Sequence, residues 1–225
     1  MRDNLRDKEY FDTFIEEELE DIQMFEDSIA DGEIEEDRID SIEDEILLIK
    51  LGVIIAKYSR GDDLEVVRQE FEAMTEMFCS SWDGGIYEDN LCFASLAYLL
   101  GLDGATLAKI RDKLMESDTY DYLIDFVLSG AEIEYDDSKI SFPRHYKNLV
   151  KSITEKDREA LIKYLRGWYK GSRSSSWYDT HKITDDNLYY GYWCFEAGAV
   201  AKRLGLADDD LQNEQYYPYD LVHFI

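Results

Sequence analysis

Proline is nearly absent from this chain: Pro143 and Pro218 are the only two in 225 residues. So few fixed-φ residues exclude a proline-rich linker and disfavour a sheet protein with many turns, and the glycines gather near the ends of helix-like segments. Cysteine is scarce too. Cys79, Cys92 and Cys194 are odd in number and lack motif spacing. Cys92 and Cys194 sit among apolar neighbours and read as small core hydrophobes in a reducing compartment. The three histidines, His145, His181 and His223, form no Glu-x-x-His pair, which a carboxylate metal centre in a helical bundle requires. Asp220-x-x-His223 is the one related spacing. A Gly-x-Ser-x-Gly elbow and a Gly-rich phosphate loop are missing as well, and Trp82-Asp83-Gly84-Gly85 reads as a turn. No cofactor, metal or catalytic residue is therefore expected, and the chain does not read as an enzyme. The N-terminus has no apolar signal core, and the longest apolar run, residues 46–56, is broken by Lys50 and too short to span a bilayer. A cytoplasmic protein without membrane contact is expected.

Positive charge is the remaining shortage. Against 51 Asp and Glu stand 24 Lys and Arg, for a net charge of −27. Such a chain is repelled by nucleic acid and anionic membranes and attracts cationic partners, at rates that fall as salt rises. The imbalance is uneven. Residues 1–45 hold 20 acids and 4 bases, hence −16, whereas residues 139–173 hold 10 bases and 3 acids, hence +7. The basic stretch interleaves Tyr146, Tyr164, Trp168 and Tyr169, as single-strand binders do, but the net charge opposes that use. Two readings stay open: the acidic helix faces a partner, or the basic segment neutralises it internally.

What the chain has in quantity is helical periodicity, so an all-α, bundle-like globule is expected, with an N-terminal helical region at 1–130 and a C-terminal one at 131–225. Residues 1–31 read as one long helix with Phe11, Phe14, Ile15, Leu19, Ile22, Phe25 and Ile29 on its apolar face and Asp12, Glu16, Glu20 and Asp27 opposite. A second helix covers about 37–58; its half from Ile46 to Ala56 is apolar on nearly every side and reads as buried. Asp62-Asp63-Leu64-Glu65 opens a third, which presents Leu64, Val67, Phe71, Met74 and Phe78. Helices at 89–102, 104–116 and 118–129 follow. Residues 130–141 read as a polar connection, where a short strand between Ala131 and Ile140 is conceivable. Pro143 opens a short helix, Thr154-Glu155-Lys156-Asp157 caps the next, and Asp185-Asp186 caps a last long one ending near Leu204. A final short helix starts at Asp208.

That last helix carries the densest aromatics. Trp177-Tyr178 lead to Asn187-Leu188-Tyr189-Tyr190-Gly191-Tyr192-Trp193-Cys194-Phe195-Glu196-Ala197, then Leu204-Gly205-Leu206, then Tyr216-Tyr217-Pro218-Tyr219-Asp220-Leu221. This block resembles the C-terminal signature of the PoNi-like immunity proteins, which protect bacteria from PoNe-type DNase toxins. The N-terminal half is similar more loosely, through its acidic first helix and Tyr58-Ser59-Arg60-Gly61.

The resemblance implies a helical, cytoplasmic, non-enzymatic protein that binds a cognate DNase toxin domain from a bacterial competition system. A DNase needs a cationic cleft for phosphate, and an acidic inhibitor can steer to that cleft and occlude it. The expected contact residues are Glu16, Glu20, Asp27, Glu33, Glu36 and Asp37, with the Asp83–Asp89 region, Trp82 and Tyr87 as further anchors. An acidic helical scaffold without a toxin partner is the alternative. The signature residues Tyr189, Tyr190, Trp193, Glu196, Tyr217, Pro218 and Asp220 read as structural. Tyr189, Trp193 and Leu204 are expected in the core, and a buried Glu196 needs a partner such as Arg144, Lys147 or a tyrosine hydroxyl.

Overall fold

The computed structural model describes residues 1–83, 85–116, 119–130 and 137–225, with the backbone alone at Asp137. Among them there are ten α-helices and no strand, so the chain is all-α. The strand conceived for 131–140 falls largely outside the described residues; Asp137–Lys139 forms a 3-10 turn. The helices belong to two compact units, Met1–Gly85 with Asp179–Gly191, and Ile86–Tyr178 with Tyr192–Ile225.

In the first unit, α1 (Lys8–Ala30) and α3 (Leu64–Ser81) both pack on α2 (Ile39–Arg60). α2 is buried over most of its second half, as its apolar run requires. The first helix is shorter than its periodicity predicts. Residues 1–6 form a strap whose backbone is satisfied elsewhere: Arg2 and Asp3 N–H both donate to Ser59 O at 3.0 Å. Asp3 Oδ1 accepts from Leu5 and Arg6 N–H, and Asp7 Oδ1 then caps α1 by accepting from Tyr10 N–H at 3.0 Å. Phe11, Phe14, Ile15 and Ile22 are buried, but Leu19 is 47% exposed. The core stripe runs instead through Glu18, which lies seven residues after Phe11 and four before Ile22 and is half-buried.

The second unit is built around α9 (Phe195–Leu204), which packs on α4 (Tyr87–Leu99), α6 (Tyr122–Ser129), α7 (Lys147–Thr154), α8 (Arg158–Gly171) and α10 (Tyr219–Val222); α5 (Gly104–Met115) lies against α4 and α6. Asp103, Asp121 and Asp157 each cap the helix that follows. Pro143 sits in a turn and α7 begins four residues later. Thr154 ends α7, and the cap of α8 is Asp157 Oδ1, which accepts from Ala160 N–H at 3.1 Å.

The largest correction concerns the signature. Asp185-Asp186 caps nothing, and the helix starts only at Phe195. Gly191 has φ +117, a conformation that a helix cannot contain and that a side chain would strain. The preceding residues spend their backbone groups on tertiary bonds: Tyr189 N–H donates to Tyr10 Oη at 2.9 Å, and Tyr190 O accepts from Ser59 Oγ at 2.9 Å. Trp193 and Leu204 are half-buried, not core. Tyr189, Tyr192 and Tyr217 are the buried tyrosines of the block.

Candidate functional site

Of the 23 residues of α1, nine are acidic and only Lys8 is basic. Two of the acids are neutralised within the first unit. Asp12 pairs with Lys8 and Arg60, and Glu26 with Lys50. Among the described residues, no ion pair reaches Glu16, Glu17, Glu18, Glu20 or Asp21. The helix therefore holds its negative charge at like-charge spacings that each cost about 0.2–0.5 kcal/mol, and the packing of Phe11, Phe14, Ile15 and Ile22 offsets that cost.

Beside this helix lies a cleft of about 520 Å³ lined by Glu17, Glu18, Asp21, Thr184, Asp185, Asp186, Asn187 and Leu188. Five of the eight lining residues are acids and none is a cation. The wall from residue 184 to 188 is anchored at both ends. On one side Arg6 Nη2 donates to His181 O at 2.6 Å and to Ile183 O at 3.1 Å. On the other, Tyr189 is fully buried beside Tyr10 and Phe11, and its hydroxyl donates to the buried Asp3 carboxylate. Asn187 Nδ2 ties the wall to α1 through Glu17 Oε2 at 2.8 Å. Burial pushes the Glu18 carboxyl up to about 7, and its acidic neighbours Asp21, Glu17, Asp186 and Glu45 add to the shift. Glu18 thus titrates near neutrality in a cleft that offers it no counter-charge.

The expected contact residues fare differently from one another. Glu16, Glu20, Asp27, Glu33, Glu36, Asp37 and Asp83 are all exposed. Glu16, Glu20 and Asp27 share one stripe of α1, where Gln23 Nε2 donates to Asp27 Oδ1 at 2.8 Å. Glu36 and Asp37 lie on the 3-10 turn Glu36–Arg38. The aromatic anchors are corrected. Trp82 is 5% exposed and stacks on Phe78, and Tyr87 is 4% exposed against Phe142 and Tyr146. Both are core residues with no ring surface to offer. The cleft acids Glu17, Glu18, Asp21, Asp185 and Asp186 were outside the expected contact set. The available signal was Glu18 itself, an acid on the apolar stripe.

Several signature residues of the second unit are buried and held by tertiary contacts. Pro218 is buried, and a Cβ at Gly198 would come within 2.6 Å of its ring, so the glycine permits the close approach of the 216–222 segment to α9. Cys194 N–H donates to Tyr216 O at 2.8 Å. Tyr217 Oη donates to Asp208 Oδ2 at 2.7 Å, while Asp220 is exposed. Glu196 is 7% exposed, and its partner is a tyrosine hydroxyl: Tyr164 Oη donates to Oε1 at 2.7 Å, with Cys194 Sγ at 3.4 Å. Burial holds its carboxyl above the usual range. The basic segment is partly neutralised inside its own unit, by Asp157 on Lys151, Asp210 on Arg158 and Glu214 on Arg166.

Among the described residues, no group of three or more His, Cys, Asp or Glu is placed to hold a metal ion, and no helix is long and apolar enough to cross a membrane. The α1 surface and the cleft beside it are anionic. Two family models match the chain. One, described as PoNe immunity protein (PoNi), N-terminal, matches residues 2–112, and one described as PoNe immunity proteins (PoNi), C-terminal, matches residues 119–221. No curated protein and no solved structure matches.

Proposed function

Because the chain belongs to the PoNe immunity protein (PoNi) family, we propose that it binds and inhibits a cognate PoNe-type DNase toxin in the cytoplasm, by laying the acidic face of α1 and its adjoining cleft on the toxin's cationic DNA-binding surface. The observation that carries this reading is the row of acids on α1 and in the cleft that, among the described residues, no ion pair neutralises. A DNase must present Lys and Arg to phosphate. A complementary anionic face raises the encounter rate and occludes the same surface. The inhibitor needs no catalytic group, since exclusion of DNA suffices.

The test is association kinetics between the purified chain and the cognate DNase domain at two salt concentrations, with plasmid cleavage as the functional readout. Reversing Glu16, Glu20 and Asp27 together to Lys should slow association by about tenfold at low salt and flatten its salt dependence. Folding should survive, because the buried residues of α1 are untouched. An unchanged on-rate with an unchanged salt slope removes α1 from the interface.

A further inference from the structure

The second unit carries a surface of opposite sign. On α8, Lys163 and Lys170 are exposed one heptad apart, on the stripe that also holds Arg166, and Arg173 is exposed just past the helix end. His145 lies against Gly171, where a Cβ would meet its ring at 3.0 Å. That contact brings the turn bearing Arg144 and Lys147, both exposed, to the same end of α8. Arg166 is held by Glu214. Among the described residues no ion pair reaches Arg144, Lys147, Lys163, Lys170 or Arg173. In a chain of net charge −27, five such bases with only Glu159 and Glu214, among the described residues, on or against the same stripe are the unexpected feature.

We propose that this basic end of α8 docks on the acidic face of α1 from a second copy of the same chain. The spacings correspond: Lys163 and Lys170 lie about 10.5 Å apart along their axis, as do Glu9 and Glu16, and Glu20 and Asp27, on α1. A polyanionic nucleic acid is a poorer occupant, because the whole chain repels it. The contact uses the α1 face that the reading above gives to the toxin, so it rests on that face being available, and a toxin and a second copy compete for it. Its salt dependence is distinctive. Near 0.01 M salt the screening length is about 30 Å, and the repulsion between two strongly acidic chains prevails; near 0.15 M it is about 8 Å, and only the local complementarity remains; near 1 M that too is screened. Association therefore passes through a maximum at intermediate salt.

Sedimentation of the full chain across protein concentration at those three salts tests this, with no toxin present. The expected result is an average mass rising above 26.4 kDa most readily at the intermediate salt. Lys163→Glu, Lys170→Glu and Arg173→Glu together should weaken association by about tenfold, as should Glu16→Lys, Glu20→Lys and Asp27→Lys together. In the second set the reversed α1 would still meet an unreversed α8, and in the first the reverse holds. The discriminating sample is therefore a chain carrying both sets, in which the charges are exchanged and association returns. A parent that stays monomeric at every salt overturns the proposal. So does association that neither set weakens, or a doubly reversed chain that fails to associate while its far-UV circular dichroism matches the parent. Binding of a fluorescent single-stranded DNA by the parent, lost with the α8 set, would assign the patch to nucleic acid and overturn it too. A failure of toxin binding with self-association intact would sink only the functional reading.

Discussion

Glu196 is the residue whose replacement tests the packing of the second unit most sharply. It is the second residue of α9, 7% exposed, with Tyr164 Oη donating to it at 2.7 Å. Two effects oppose each other there. The helix N-terminus favours a carboxylate by about 0.3–2 kcal/mol, while taking a charge out of water costs several kcal/mol. Burial wins, and the carboxyl is held above its ordinary range. A raised folded value means that the stabilisation is complete below the unfolded value of 4.5 and is lost as pH rises through the folded one. One such group limits the slope to about 1.4 kcal/mol per pH unit. Glu196→Gln keeps an acceptor for Tyr164 and removes the ionisation. It should lie within about 1 kcal/mol of the parent at pH 5 and become progressively more stable than it toward pH 9. Glu196→Ala strands the Tyr164 hydroxyl, itself 4% exposed, at a cost of about 1–3 kcal/mol, or roughly 2–12 °C in Tm for a chain of this size. Urea denaturation followed by circular dichroism at pH 5, 7 and 9 measures both. A Gln variant whose difference from the parent does not change with pH would refute the argument, as would an Ala variant as stable as the parent.

Three further outcomes are expected. Glu18→Gln should reduce the loss of stability that the parent shows as pH rises from about 4.5 to about 7, because here too the folded value is raised; the difference between the two proteins' denaturation midpoints at pH 4.5 and at pH 8 decides it. Arg203 donates to Val127 O and Leu128 O at the end of α6 and stacks on Tyr98 at 3.7 Å, so Arg203→Ala should cost roughly 2–4 kcal/mol, read as a lowered urea midpoint. Trp193→Ala should cost about 1–2 kcal/mol, below the 3–5 of a fully buried aromatic, since Trp193 is half-buried; a variant that melts with the parent but no longer inhibits the DNase would place this ring at the interface.

Helices were legible wherever an apolar stripe and a cap coincided. The Asp62-Asp63-Leu64-Glu65 pattern does open α3, with Asp63 and not Asp62 as the cap, and most of the run from Ile46 to Ala56 is buried. The failures share a cause: local pattern was overridden by bonds to distant residues. Residues 1–6 and 186–191 have helix-compatible composition, but their backbone groups are claimed by Ser59 and Tyr10. Thr154 resembles a cap, yet Lys156 at φ +52 breaks the chain and passes that task to Asp157. Exposure of aromatics was the least legible property. Trp82 and Tyr87 flank a polar loop, and nothing in that loop shows Phe78, Phe142 and Tyr146 closing over them. The acidic face of α1 was readable from charge alone. Its cleft was not, because Asp185 and Asp186 reach it only through the fold.

The aromatic signature and the acidic surface are therefore linked physically. Carboxylates gathered in one cleft repel each other, by about 1 kcal/mol per pair at 4 Å in water and about 4 at the lower dielectric of a protein surface. Left to itself, the segment bearing Asp185 and Asp186 would move away from Glu17, Glu18 and Asp21. It stays because Tyr189 is buried beside Phe11 with its hydroxyl on Asp3, because Ser59 meets the Tyr190 carbonyl, and because Arg6 holds the His181 and Ile183 carbonyls. Those anchors are apolar burial and buried or part-buried hydrogen bonds, which added salt screens less than it screens charges exposed in the cleft. The fold thus holds a surface whose charges are unfavourable to one another until a cation enters. An arriving Lys or Arg relieves that repulsion as well as making its own ion pair, so a rigid acidic cleft gains more from a cationic partner than the same carboxylates on a mobile loop, which would have separated already.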